Sequence, residues 1–578
     1  MTDPSIYFAL VKEQVPQLLS QQDRDPLSPS YGSFDRKYWG WKYRDFSDAT
    51  LQAAALPLAH IWSCDRPDNP YYRDPALLEW ILAGINYIFT IQHRDGTFDQ
   101  CYPYEQAAGN VYEVFEAFIG VVDRLGKNFS PAVLECARER MRTACEFVLT
   151  HEENHGNIAN HFACYSYVAH TMGRFFNDQR FYALGDRLLE RTLSLQSSEG
   201  WFAEYDGADP GYESRTVYYL AKLFVEFSKT HLLPMLSHSL DSFLRYCIHP
   251  DGSIGGEYGA RNTMVCYPAS FEILSRDLPV AAACAQQIRA ALTLRNTLTL
   301  GYLDFDNLIR IATNDMEALA AAPAHASTLP LLPWEEQQME YYLPKTGLYF
   351  RSTPSYYFVM NVRKGGVFKL FDKTSHALVC SDTNYGGMTA TGKILSAHLP
   401  EKNVVITKGA GDMSVQTWFQ ESLQDNMSPV RMILLRLAAL TLLRVNFFAE
   451  LFRRYVSRRL FTPNPQRFAK FMRQIFFDTN GIRVHDQLED LGAFKKLLWT
   501  SNATSVHMAS SKYFAPAQLP LWREGLVNLS AFLHGANNIS VQTEITLTEK
   551  NCTRRRCITG HTTTTEHHSV LLPTRKAG

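Results

Sequence analysis

Tyr212 stands just after Asp209-Pro210-Gly211, in a stretch crowded with acids and tyrosines, EGWFAEYDGADPGYESRTVYYLAKLF (199–224). A phenol takes and returns a proton on one face only where positive neighbours favour its ionised form, and Arg215 and Arg261 are the cations at hand. Some fifty residues upstream, NHFACYSYVA places Asn160 beside His161. An amide donates to a carboxylate or enolate oxygen without adding a titrating charge, and an imidazole titrates near neutrality. Together these groups suit abstraction of a proton α to a carboxylate, followed by expulsion of a β-oxygen. His376, in an apolar alternating stretch far along the chain, is a further candidate. A second chemistry is open to the acids Glu204, Asp206, Asp209 and Glu257. One carboxylic acid and one carboxylate across a glycosidic bond hydrolyse it.

Such groups must be brought together from distant positions, and a repeat provides the means. DGTFDQCYP from Asp95, EGWFAEYDGADPGY from Glu199 and DGSIGGEYGARNT from Asp251 resemble one another. Each follows an apolar segment of helical period, such as ALLEWILAGINYIFTIQH, and each precedes another helix. A unit of roughly 50 residues built as helix, polar loop, helix predicts stacked hairpins closing into a toroid. Its inner helix ends and loops then converge on one face. Aromatic and acidic loop residues on such a face, here Trp201, Tyr205, Tyr258, Glu204, Asp209 and Glu257 with Arg215 and Arg261, are expected to bind sugar rings, hydroxyls and carboxylates.

The Ala- and Pro-rich AAAPAHASTLPLLPWEE reads as a linker. Beyond it, GLYFRSTPSYYFVMNVRKGGVFKLF and NISVQTEITLTE alternate apolar with polar residues, as antiparallel strands do. The predicted fold is therefore multidomain α + β. Residues 1–320 form an (α/α) toroid, 321–337 a linker, and 338–578 an antiparallel β-sandwich with a helical insertion at about 428–475. That insertion, SPVRMILLRLAALTLLRVNFFAELFRRYVSRRLFT (428–462), is apolar and rich in arginine. It is expected to pack on the sandwich, to meet an anionic partner, or to lie on a membrane surface.

A helical toroid followed by a β-sandwich resembles the heparinase II/III-like and oligoalginate-type polysaccharide lyases. NHFACYSYVA is similar to the helix that delivers an active-site Asn or His in those families. DGADPGYESRTVYYL is similar to their D-G, Gly-Tyr, aromatic helix, in which the tyrosine is catalytic. The resemblance implies β-elimination on an acidic, uronate-containing glycan, with Tyr212, Asn160, His161 and His376 as catalytic residues. Their His-Gly-His-Ala-Asp-type strand has no counterpart in FKLFDKTSHALVCSDTNYGG, which carries the lone His376. A glycoside hydrolase on the same toroid and a non-catalytic carbohydrate-binding protein of exopolysaccharide assembly remain open beside the lyase.

The balance of 57 Lys and Arg against 58 Asp and Glu gives nothing to attract nucleic acid at the level of the whole chain. The 11 cysteines follow no framework or zinc spacing, which fits a reducing compartment. No metal or cofactor motif appears elsewhere; TGHTTTTEHHSV offers His561, His567 and His568 to a metal but reads first as a disordered terminal tract. The N-terminus lacks a secretion signal, so a cytoplasmic location is expected, or a periplasmic one if the native N-terminus is longer.

Overall fold

The computed structural model describes residues 2–152, 156–205, 207–295, 297–323, 329–401, 403–422, 426–461, 466–504, 509–514, 518–519, 521, 526–533, 537–548, 551–560 and 564–572. Its helices are α1 (Ser5–Ser20), α2 (Arg36–Trp39), α3 (Ala55–Ser63), α4 (Pro75–Ile91), α5 (Ala108–Leu125), α6 (Pro131–Val148), α7 (Ala159–Phe176), α8 (Gln179–Ser194), α9 (Pro210–Glu226), α10 (Leu233–Ser242), α11 (Ala269–Leu274), α12 (Pro279–Leu294), α13 (Phe305–Ala321), α14 (Pro429–Leu440) and α15 (Asn446–Phe461). Helices α3, α5, α7, α9, α11 and α13 each touch the next, and α13 touches α3, which closes a ring. The ring is a helical toroid. The inner helices α7 and α9 are buried on nearly every side. The outer helices α6 and α8 bury one stripe and expose the rest, as surface helices do.

The repeated loops lead from outer helices into inner ones. In two of them the Asp side chain folds its own turn. Asp95 Oδ1 accepts from Thr97 N at 3.0 Å, and Asp251 Oδ1 accepts from Ser253 N at 2.9 Å. The intervening Gly252 has φ +73°, and a Cβ there would lie 2.1 Å from that of Ala291, so only glycine fits.

Two antiparallel sheets follow. The first runs in order β1 (Met339–Leu343), β2 (Leu348–Ser352), β3 (Tyr356–Asn361), β4 (Val367–Asp372), β5 (Ala377–Asp382). The second contains β6 (Tyr385–Thr389), β7 (Ile394–Ser396), β8 (Val405–Lys408), β9 (Asp412–Glu421), β10 (Arg467–Asp478), β11 (Gly481–Glu489), β12 (Phe494–Thr500), β13 (Leu526–Asn528), β14 (Ile539–Leu547), β15 (Cys552–Thr559) and β16 (Thr564–Leu572). Its order is β13-β12-β6-β7-β9-β10-β11-β14-β15-β16, with β8 also paired to β9.

The small sheet is covered on both faces. Leu348, Phe350, Tyr357, Val359 and Phe371 join the toroid core, whereas Tyr349, Phe358, Phe368 and Leu370 pack on Val415, Ile475 and Ile545 of the large sheet. Every residue of β3 is buried, so it reads as a continuous apolar run. Within the large sheet, Arg473 stands opposite Asp486 in register and donates to it twice, at 2.8 Å each, and to Asp382 at 3.1 Å.

Two expectations are corrected here. The helical insertion ends at Phe461, and Arg467–Asp478, expected in part within it, is strand β10. The terminal tract is ordered as β16 from Thr564, where it gains the free edge of β15 as a hydrogen-bonding partner; His561 lies outside the described residues.

Candidate active site

The start of α9 is built by Asp209. It is the N-cap, with one oxygen accepting from Tyr212 N at 3.2 Å and the other from Arg261 N at 2.8 Å and Thr263 N at 3.4 Å. Pro210 fits the first helical position, where no N–H is needed. Gly211 lets the third repeated loop approach, since a Cβ there would meet Thr263 Cγ2 at 2.3 Å. The stretch DPGY thus fixes Tyr212 at a helix mouth and ties it to the loop that carries Arg261.

The second repeated loop reaches α7 in the same way. Ala159 N donates to Ala203 O at 3.0 Å, and Ile158 pairs with Glu204 as an isolated bridge. Asn160 Nδ2 then donates to Glu204 Oε2 at 2.6 Å, and Arg215 Nη1 donates to Asn160 Oδ1 at 3.3 Å. The two sequence motifs meet through that contact. Burial pushes the Glu204 carboxyl up to about 7, against the pull of Arg261, His161 and Asn160. The Arg261 guanidinium lies 4.8 Å from the ring centre of Tyr205 and 6.0 Å from that of Tyr212. His161 Nδ1 is 3.3 Å from the hydroxyl of Tyr165, whose ring stacks on Tyr112.

Several contributors were not foreseen. Glu113 on α5 sits between Arg310 of α13, at 2.9 Å, and Arg215, at 3.7 Å. Burial opposes its charge, but the two arginines outweigh burial and hold its carboxyl below the ordinary range. With Glu116, Tyr219 and Tyr267 these three groups line a cavity among the inner helices α3, α5, α9 and α13. Ser511, from the β part, places its Oγ 3.1 Å from the Tyr212 hydroxyl, and its carbonyl accepts from Met264 N at 2.9 Å. Their sequence signal is slight: helical spacing gives Glu113 and Arg310 a face, and nothing local marks Ser511.

The β part also holds the third loop in place. Lys364 Nζ donates to the carbonyls of Glu257 and Gly259 and to Asn262 Oδ1, the last two at 2.8 Å. Burial lowers its ammonium to about 7 despite Asp209 and Glu257 nearby. Lys369 Nζ donates to Gly255 O at 3.1 Å and faces the Glu257 carboxylate at 3.2 Å, with Lys512 at 3.7 Å.

The structure therefore gathers Asn160, His161, Tyr205, Glu204, Tyr212, Arg215 and Arg261 at one mouth of the ring. The other candidates are engaged elsewhere or lie apart from it. Asp209 is spent on the helix cap and Glu257 on buried lysines. Tyr258 is fully buried, its hydroxyl 2.9 Å from His249 Nε2. Trp201 donates to Glu199, which also accepts from the Lys345 and Thr346 amides of the small sheet's first hairpin. Glu257, and Trp201 through Glu199, thus sit at the seam between toroid and sheet, whereas the Asp209 and Tyr258 side chains are bonded within the toroid, so all four hold the protein's own structure where sugar contact was expected. His376 sits exposed in the β4–β5 turn, edge-on to Trp334, with no contact to the other candidates. Asp206 lies outside the described residues.

No family model and no curated protein matches the chain. Among solved structures it is similar to the Streptomyces coelicolor A3 chondroitin AC lyase in complex with chondroitin sulphate. That match has 12% identity over 86% of this chain and 68% of that one, with a TM-score of 0.50. The likeness is one of fold, a ring of helices followed by antiparallel sheets. Paenibacillus xanthan lyase is also similar, at 9% identity over 96% of this chain and 64% of that one, with a TM-score of 0.48. Heparan sulfate lyase HepC from Pedobacter heparinus follows at 10% identity, over 99% and 83% of the two chains, with a TM-score of 0.38. In this chain the ring mouth with Tyr212 and Asn160 meets the β part, which supplies Ser511.

Proposed function

We propose that the chain is a polysaccharide lyase of heparinase II/III-like type that cleaves an acidic, uronate-containing glycan by β-elimination. The observation that carries this reading is the hydrogen bond from Arg215 to Asn160, which brings the tyrosine helix and the Asn-His helix to one mouth. Asn160 and His161 would neutralise the substrate carboxylate, making the α-proton acidic. Tyr212, beside the Arg261 cation, would take that proton as its phenolate. The β carbon–oxygen bond then breaks as a carbon–carbon double bond forms, and the tyrosine's proton passes to the leaving oxygen. Arg261 would also bind the carboxylate.

Hydrolysis by the loop acids draws less support, because Asp209 and Glu257 are committed within the protein and Glu204 lacks a free partner among the described candidates. A binding or assembly role without catalysis is favoured by one contact, that of Ser511 with the Tyr212 hydroxyl, which occupies the atom that elimination would need.

One experiment separates these readings. The purified protein is incubated with a panel of uronate polysaccharides while ultraviolet absorbance and reducing ends are followed. Elimination yields both an absorbing unsaturated uronate and a reducing end, and Tyr212→Phe should abolish both. Reducing ends without absorbance would place the chemistry in hydrolysis. Silence in both, with retained affinity for a polysaccharide, would favour the binding role.

A further inference from the structure

The helical insertion carries a surface that the site does not use. Helices α14 and α15 sit on the rim of the toroid. Arg453 Nη1 donates to Glu105 O at 2.5 Å, Gln106 Nε2 donates to Arg444 O at 3.0 Å, and Arg436 pairs with Asp45 at 3.1 Å. Ala439, Leu443 and Ala449 are buried against Tyr102 and Phe452. One face of the hairpin is thereby fixed, and the other is turned outward.

That outward face is strongly apolar. Among the described residues, thirteen of the 26 large exposed apolar side chains lie between Met427 and Tyr455, including Val430 at 66% exposure, Ile433 at 61% and Phe447 at 70%. Single exposed hydrophobes are ordinary, but so many on one hairpin mark an interaction surface. The charge on the same segment has one sign. Residues 428–461 hold seven arginines against the lone Glu450, a formal excess of +6 in a chain whose net charge is −1. Glu450 is itself paired with Arg454. Beside the hairpin, the loop that supplies Asp45 exposes Trp41 and Tyr43, stacked at 5.9 Å. Amphipathic rings of this kind settle at the level of lipid headgroups. No helix among the described residues is long and apolar enough to cross a membrane.

We propose that this hairpin docks the protein on an anionic lipid bilayer, lying in the interface with its apolar face among the acyl chains and the exposed Arg431, Arg444 and Arg454 at the level of the phosphates. An apolar face flanked by arginines and almost devoid of acids matches such a surface in both hydrophobicity and charge. Because the same hairpin rests on the loop 102–106 at the toroid rim, docking would hold the toroid against the membrane.

The test is cosedimentation of the full chain with vesicles of phosphatidylcholine alone and of phosphatidylcholine with about one-third phosphatidylglycerol. The expected result is binding to the anionic vesicles that weakens as salt is raised. The combined variant Leu434→Glu, Leu437→Glu and Phe447→Glu should reduce that binding at least about tenfold while circular dichroism and the unfolding midpoint stay unchanged. A wild-type chain left in the supernatant with anionic vesicles would overturn the proposal, as would binding that the triple variant retains. A wild-type dimer that ignores vesicles and is dissociated by the same variant would also overturn it, in favour of a second copy.

Discussion

Replacing Glu257 by Gln tests whether the seam between toroid and sheet is held by charge. Glu257 is buried, and its carboxylate faces Lys369 at 3.2 Å and Lys512 at 3.7 Å. Burial disfavours its charge, but the two lysines outweigh it and bring the carboxyl from the ordinary 4.5 down to about 2. That difference corresponds to ~3 kcal/mol of preference for the ionised, folded form. Since the folded value is the lower one, this stability is fully present above about 4.5 and is lost as pH falls towards about 2. Removing one partner of a buried pair costs about 3–5 kcal/mol by independent reckoning, so the two figures agree. Urea unfolding followed by tryptophan fluorescence at a series of pH values should therefore show Glu257→Gln destabilised by ~3 kcal/mol at neutrality. The gap should close as the acid limb is descended. A gap that is constant with pH, or a variant as stable as wild type at neutrality, would refute the reasoning.

Further outcomes follow from the same geometry. Glu204 has the opposite sign: its folded value is raised from 4.5 to about 7, so wild-type stability should fall as pH rises across that interval. In Glu204→Gln thermal unfolding should lack this loss, leaving the variant relatively more stable at alkaline pH by ~3 kcal/mol. Asp209→Ala removes the cap of α9 and the acceptor for the Arg261 amide; it should cost about 2 kcal/mol in chemical denaturation and, with the Tyr212 mouth loosened, lower any lyase rate. Arg473→Met leaves Asp382 and Asp486 buried without their cation and should cost about 3–5 kcal/mol, read as a lower urea midpoint.

The toroid was legible because its repeat is local. Acid-Gly loops after apolar helical runs mark each passage from an outer to an inner helix, and the inner helix ends then converge by topology alone. Asn160 and Tyr212 could be named from the resemblance of their motifs, and Arg215 and Arg261 as the cations near them. What the loops do with their acids could not be read. Asp209 and Glu257 look alike in sequence to an acid that faces a ligand, and only the close approach of Thr263 or Lys369 shows them spent. Ser511, Lys364 and Lys512 escaped notice because their roles arise from segments more than a hundred residues from the loops they meet. The strand β16 was missed because a Thr- and His-rich tract has weak local preference, and β15 supplies the edge that orders it.

The small sheet, apolar on both faces, has a consequence for how this chain comes apart. Its inner face belongs to the same core as the ring, so a cut at the linker would not release two self-sufficient pieces. A fragment ending before Met339 would bare the surface that Phe350, Tyr357 and Phe371 cover, and the remainder would present those rings to water. Ring and sheet should thus unfold together in one cooperative step. A mutation deep in either half would be felt at the mouth between them, even where no contact links it to Tyr212.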